Sequence, residues 1–252
     1  MLEINGVSFS YAGRQTTKAI EDISFSVNKG SFVSVIGPSG CGKTTLASLI
    51  VGHLSPQRGD IRADGRLVTG PGRERFLINQ ENDLFEWMTL RENIQFVTRR
   101  DFREYLRLVH LDGHENKYPH ELSGGMKKRA SIARALAANA EYLVIDEAFA
   151  SLDCQLKEAL YEELLKIWTV TNKTILLVTH DINEALYLSD TVVVLTQSPS
   201  RVKRIIPVPF PRPRRPAIRY TGGYVALEKM IHAMVDGYHE PLDEPGLRGA
   251  EQ

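Results

Sequence analysis

Gly37-Pro-Ser-Gly-Cys-Gly-Lys-Thr44 follows directly on the apolar run Phe32-Val-Ser-Val-Ile36. The octet fits G-x-x-x-x-G-K-[S/T], the pattern of a phosphate-binding loop. Small residues let the backbone curl tightly, so that successive N–H groups point at phosphate oxygens. Lys43 can reach the β- and γ-phosphates, and Thr44 can hold Mg²⁺. Thr45 to Val51 reads as a helix. Strand, glycine-rich loop and helix is the context this motif needs, because the helix N-terminus adds the positive end of its dipole to the phosphate site.

The pattern outward from the loop is that of an α/β protein. Val7, Phe9 and Tyr11 alternate, as do Ile23, Phe25 and Val27, which predicts half-buried strands. A loop rich in glycine and proline runs from Pro56 to Gly72, and Phe76-Leu-Ile78 is the next expected strand. From 81 to 138 the texture is helical, with Phe102, Tyr105, Leu106 and Val109 on one face. Ser123 is a favoured N-cap, which puts Gly124 and Gly125 in a first helical turn. Glycine is poor there, so something must approach that backbone closely. Tyr142-Leu-Val-Ile145, Thr174-Ile-Leu-Leu-Val178 and Thr191-Val-Val-Val-Leu195 are short apolar strands separated by helical patterns. They predict a mostly parallel sheet covered on both faces. Asp181 with Glu184 reads as a helix-starting capping pair. The tail from Ser198 is richer in proline and arginine and ends in one expected helix, Tyr224 to Met234.

Strand ends carry the chemistry, since open α/β sheets bind ligands at the C-terminal ends of their strands. Asp146 and Glu147 follow one such strand. Asp146 would hold Mg²⁺ largely through its water shell, and Glu147 would orient and polarise an attacking water. His180 ends the neighbouring pattern and would hydrogen-bond the γ-phosphate. Gln80 can offer its amide to Mg²⁺ or to a bound water. Tyr11 is compatible with packing or with stacking on adenine.

Together, Gly37 to Thr45, Gln80, Leu122-Ser-Gly-Gly-Met126, Tyr142 to Glu147, Ser151-Leu-Asp153 and His180 resemble the ordered motifs of ABC ATPases. The resemblance implies Gly37, Pro38, Ser39, Gly40, Cys41, Gly42, Lys43, Thr44, Thr45 and Asp153 as ATP-binding residues. It implies Ser123, Gly124 and Gly125 as groups that complete the ATP site of a second subunit, in a homo- or heterodimer. It also implies a RecA-like P-loop NTPase core with an N-terminal β lobe. An α-helical subdomain, about 81–138, would be inserted within an ATPase domain spanning 1–215, leaving 216–252 as a short C-terminal tail. Thr69-Gly-Pro-Gly72, Leu84-Phe-Glu-Trp87 and Pro211-Arg-Pro213 are similar to segments of importers for nitrate, taurine and alkanesulfonates. Such importers imply membrane permease subunits and an extracytoplasmic substrate-binding protein. Asn79, Glu86 and Lys128 depart from the family's common residues without removing a catalytic group. An ABC ATPase of DNA repair or translation, and an importer ATPase for a thiamine-precursor pyrimidine, are the alternatives. A plain P-loop kinase or GTPase lacks the Leu122–Met126 string.

Composition narrows the class further. In the 252-residue chain, 31 basic and 31 acidic residues cancel, which gives no support for a nucleic-acid binder driven by overall charge. Two cysteines, Cys41 and Cys154, suggest no disulfide framework. Met1-Leu-Glu-Ile-Asn lacks the regions of a signal peptide. No apolar run approaches the roughly 20 residues of a membrane span. The expected location is the cytoplasmic face of the membrane, with other chains supplying the spans. Arg201, Lys203, Arg204, Arg212, Arg214, Arg215 and Arg219 read as solvated charge, with anionic headgroups or a partner as the alternative.

Overall fold

A computed structural model of the chain describes residues 1–12, 17–79, 84–150 and 153–236. Two sheets organise it. In the first, β1 (Leu2–Tyr11) lies antiparallel between β2 (Thr17–Val27) and β4 (Arg58–Ala63), and β5 (Arg66–Leu67) extends the edge. In the second, the order is β10 (Val202–Pro207), β9 (Thr191–Leu195), β3 (Phe32–Ile36), β8 (Thr174–Thr179), β7 (Tyr142–Asp146), β6 (Arg75–Ile78). All neighbours there are parallel except β10, which runs antiparallel to β9. Every residue of β3, β7 and β8 is buried, as expected for strands covered on both faces.

Helices make the crossovers. The helix α1 (Lys43–Val51) follows β3, α5 (Cys154–Thr171) joins β7 to β8, and α6 (Ile182–Leu188) joins β8 to β9. Between β6 and β7 lie α2 (Leu90–Gln95), α3 (Phe102–Leu108) and α4 (Gly124–Ala137). One core cluster joins these three helices to β7, β8 and α5 through Leu90, Phe102, Ala133, Leu143 and Leu164. A second fills the space between the small sheet and α1. The last helix, α7 (Gly222–Asp236), contributes Tyr224 and Ile231 to a third cluster with α6 and β9.

The structure departs from the sequence expectation in two places. The loop from Pro56 to Gly72 carries β4 and β5, and a further strand, β10, follows Leu195. These are edge or near-edge strands with charged residues on their open faces, so their apolar content is too low to read as strands. The second difference is the basic tail. Arg214 is buried, and its guanidinium donates to the carbonyls of Leu186, Tyr187, Ser189 and Phe210 at 2.7–3.2 Å. Arg212 pairs with Asp190 at 2.8 Å and lies over the Trp168 ring. Arg219 pairs with Glu158. These three arginines are internal fasteners between the tail, α5 and α6, not solvated charge.

Candidate functional site

The loop between β3 and α1 has its shape because two glycines allow it. At Gly42, φ is 101°, and a Cβ would stand 2.9 Å from the Ala19 carbonyl oxygen. At Gly37, a Cβ would meet Cys41 Sγ at 2.9 Å and Leu195 Cβ at 3.1 Å. Only glycine fits either position without displacing its neighbours. Gly42 is also the N-cap of α1 and has no side chain to offer to the first-turn N–H groups. By contrast, α2 to α6 each start with a side-chain cap, from Thr89, Asp101, Ser123, Asp153 and Asp181. The first turn of α1 therefore keeps donors for an external anion, at the positive end of the helix.

Lys43 is buried and donates to the carbonyls of Gly37 at 2.9 Å and Pro38 at 3.1 Å. Its Nζ also lies 3.9 Å from Glu147 Oε1. The same carboxylate oxygen stands 3.5 Å from His180 Nδ1. The edges of β3, β7 and β8 thus bring one ammonium, one carboxylate and one imidazole to a single place. Glu147 sits just past β7 with φ 45°, unusual for a residue with a side chain. Its N–H donates to Val178 of the adjacent β8 at 2.9 Å, which fixes that turn.

Asp146, the last residue of β7, is buried beside this group, and its Oδ1 has no hydrogen-bond partner among the described residues. Burial raises its carboxyl above the usual range; the Thr44 hydroxyl opposes the rise, Glu147 adds to it, and Lys43 opposes it. An orphaned carboxylate oxygen beside an exposed threonine hydroxyl fits a hard divalent cation, which prefers oxygen ligands. Thr44 and Asp146 would hold Mg²⁺ here. Bound Mg²⁺ would neutralise charge on the phosphates. Cys41 is buried, and burial pushes its thiol up, away from the thiolate that reactivity requires.

Tyr11 ends β1 half-exposed, with its hydroxyl 3.0 Å from Thr45 Oγ1. Ser123 caps α4 through the Met126 N–H, and both Ser123 and Gly124 are exposed. Gly125 is buried: a Cβ there would meet Leu156 of α5 at 2.9 Å. Leu156 thus leaves no room for a side chain at Gly125, whereas Gly124 is exposed. Asp153 is exposed and caps α5 through the Leu156 N–H at 2.9 Å. Gln80, Ser151 and Leu152 lie outside the described residues.

Two buried polar groups, one after β8 and one in α2, were not singled out for such roles. Asp181 caps α6 as expected, but the Glu184 carboxyl turns inward to the Thr179 hydroxyl instead of closing a capping box. Asn93 is fully buried. Its Oδ1 accepts from the Phe85 N–H at 2.8 Å, and its Nδ2 donates to the carbonyls of Phe85, Met88 and Thr89 at 3.0–3.1 Å. One asparagine so pins the turn that carries Trp87. An asparagine inside a helical pattern gives no sign of this, since its partners are set by the folded turn.

Comparison with known proteins agrees with this arrangement. The family described as ABC transporter matches residues 20–150. The aliphatic sulfonates import ATP-binding protein SsuB of Bacillus cereus is 41% identical over 222 residues, covering 84% of this chain and 88% of that protein. The bicarbonate transport ATP-binding protein CmpD of Synechocystis is 40% identical over 227 residues, covering 84% and 80% respectively. The dimeric post-hydrolysis structure of the ATP-binding cassette MJ0796, bound to ADP and Pi, superposes with TM-score 0.73 at 27% identity, covering 83% of this chain and 100% of that one. The strand-edge cluster, the open helix N-terminus and these relatives lead to one conclusion: the chain belongs to the ABC transporter family, as one of its ATP-binding, ATP-hydrolysing subunits.

Proposed function

We propose that this subunit energises import of a small anion, and that Glu147, His180 and Lys43 carry its hydrolytic step. The observation behind the catalytic reading is the convergence of Lys43 Nζ and His180 Nδ1 on one Glu147 oxygen, at 3.9 and 3.5 Å. Lys43 would swing from the loop carbonyls to the β- and γ-phosphates. Glu147 would take the proton of the attacking water. His180 would hydrogen-bond the γ-phosphate and fix that water. Gly37 to Thr45 would wrap the phosphates, with Tyr11 beside the base and Gln80 near Mg²⁺. Ser123, Gly124 and Gly125 would reach the γ-phosphate of a second copy, Ser123 and Gly124 from exposed positions, with Asp153 nearby at the start of α5. Glu147→Gln keeps the shape and loses the base. Turnover should fall about a hundredfold or more while ATP still binds, as read by a fluorescent nucleotide. Hydrolysis near the wild-type rate would remove Glu147 from this role.

The permease-facing surface is read from a second feature. Trp87 is 73% and Phe96 63% exposed, and both pack on half-buried Phe85, Trp87 tilted at 5.2 Å and Phe96 edge-to-face at 5.0 Å between ring centroids. Beside them runs a groove of about 990 Å³ lined by Pro71, Phe76, Phe96, Val97, Arg99 and Arg100. Leu84 is buried, so the segment divides between core and surface. A groove that mixes arginines with Phe76, Phe96 and Val97, beside exposed aromatic rings, suits a segment of a membrane subunit that carries both apolar and acidic side chains. No helix of the described residues is long and apolar enough to cross a membrane, so spans would come from that partner. The anion reading draws on the relatives named for sulfonate and bicarbonate transport. Nitrate, taurine and other sulfonates are the candidates. With its permease and binding protein reconstituted, hydrolysis should rise when the binding protein carries nitrate or a sulfonate. A response only to an uncharged ligand would sink the anion reading.

A further inference from the structure

His180 is flanked by two residues that share one buried partner. Thr179 Oγ1 accepts the Asp181 N–H at 3.0 Å, which ties the residue before His180 to the residue after it. The same Thr179 hydroxyl donates to Glu184 Oε2. Glu184 in turn sends its N–H to Asp181 Oδ1 at 3.1 Å, closing the loop on the first turn of α6. Its side chain is buried, and Oε1 makes no hydrogen bond among the described residues. From α5, Tyr161 and Lys157 face this carboxyl and favour its ionised form, while Asp181 opposes it. Lys157 also lies 4.0 Å from Asp181 Oδ2. A carboxyl buried with one oxygen unpartnered is costly to a fold. A core of apolar side chains would serve stability better, so its placement calls for another reason.

We propose that Glu184 is a positioning residue for hydrolysis: it holds Thr179 and the start of α6, and through them the direction of His180 toward Glu147. The His180 imidazole is half-exposed and lies 3.5 Å from the Glu147 carboxylate. A small rotation of this turn would carry the ring away from both the water and the phosphate. Misplacement of about 1 Å can cost about a hundredfold in rate. The inference rests on the reading of His180 given above.

Steady-state and single-turnover ATP hydrolysis by the full chain test it. Glu184→Ala should lower kcat at least about tenfold and leave KM for ATP within about twofold, because the phosphate loop is untouched. Glu184→Gln should restore most of kcat, since the amide carbonyl still accepts the Thr179 hydroxyl. Thr179→Val cuts the same link from the other side and should reproduce the loss of kcat if the alanine variant does not fold. In a His180→Ala background, Glu184→Ala should cost nothing further. Additive losses in that background would overturn the link to His180. So would parallel losses of kcat, KM and thermal stability that glutamine does not rescue. If His180→Ala alone hydrolyses at the wild-type rate, the reading of His180 itself fails and this proposal goes with it.

Discussion

Glu147 shows how much one residue depends on its neighbours. Its left-handed φ of 45° is a strained conformation for a side-chain-bearing residue, and it persists because β8 accepts its N–H. Strain of this kind gathers where a side chain must be aimed. Nothing in the string Ile145-Asp-Glu147 reveals it, although the carboxylates themselves were legible as the end of an apolar strand. Glu184 was legible as a helix-start residue but not as a buried acid, because its partners Thr179, Tyr161 and Lys157 come from other elements. Burial pushes its carboxyl from 4.5 up to about 7. The folded protein therefore holds this proton more tightly than the unfolded chain. The associated stability is fully present below about pH 4.5 and is lost as pH rises through about 7, with a magnitude on the order of 3 kcal/mol. Urea unfolding of Glu184→Gln should lack this component. Its stability relative to wild type should rise between pH 5 and 8, by up to about 3 kcal/mol; parallel pH profiles would contradict the assignment.

Helix caps and fasteners decide what each element can do. The first turn of α1 begins at a glycine and keeps its donors, whereas the other helices of the core spend theirs on side chains. That contrast follows from the sequence, since serine, threonine and aspartate announce their caps and glycine does not. The strands β3, β7, β8 and β9 were equally legible as apolar runs, and β4, β5 and β10 were not, because edges carry charge. The C-terminal end of α6 is the clearest case of a long-range element. Arg214 satisfies the carbonyls of Leu186, Tyr187 and Ser189 from across the fold. Arginine suits this role because its planar fork presents several donors at fixed angles. Burial brings its pKa down to about 10, so it remains charged at neutral pH. Arg214→Ala would leave those carbonyls buried and unpaired. Chemical unfolding should show a loss of about 3 kcal/mol or more. Arg214→Lys should recover less than half, because one ammonium cannot reach all of these acceptors.

At the scale of the whole molecule, the aromatic face of Phe85, Trp87 and Phe96 belongs to the segment between β6 and β7, and β7 ends in Asp146. Lys128 of α4 donates to the Asn79 carbonyl at 2.6 Å, at the end of β6. It links the helix that starts at Ser123 with the strand that leads to Gln80. This lysine stood out in the sequence only as a departure, and its bond depends on two elements 49 residues apart. Coupling between distant sites needs such physical ties. Trp87 is the direct probe of the far end, being mostly exposed. Trp87→Glu should leave folding and the hydrolysis of the isolated subunit within about twofold, since surface changes are usually worth under about 0.5 kcal/mol. Stimulation by the reconstituted permease and binding protein should be lost. Full stimulation in that variant would move the docking face elsewhere.

The Asn93 clamp bears on the thermodynamics of that docking. A tryptophan on a loose loop would lose backbone and rotamer freedom when a partner covered it, at about 0.5–1.5 kcal/mol for each immobilised side chain. Here the turn from Phe85 to Thr89 is already held by an amide with all its hydrogen bonds made. The ordering entropy has been met during folding. Association at this face should then show a negative heat-capacity change from burying the rings, with little of the unfavourable entropy that marks coupled folding. Asn93→Ala would return that entropy to the binding step, and calorimetry would find it there.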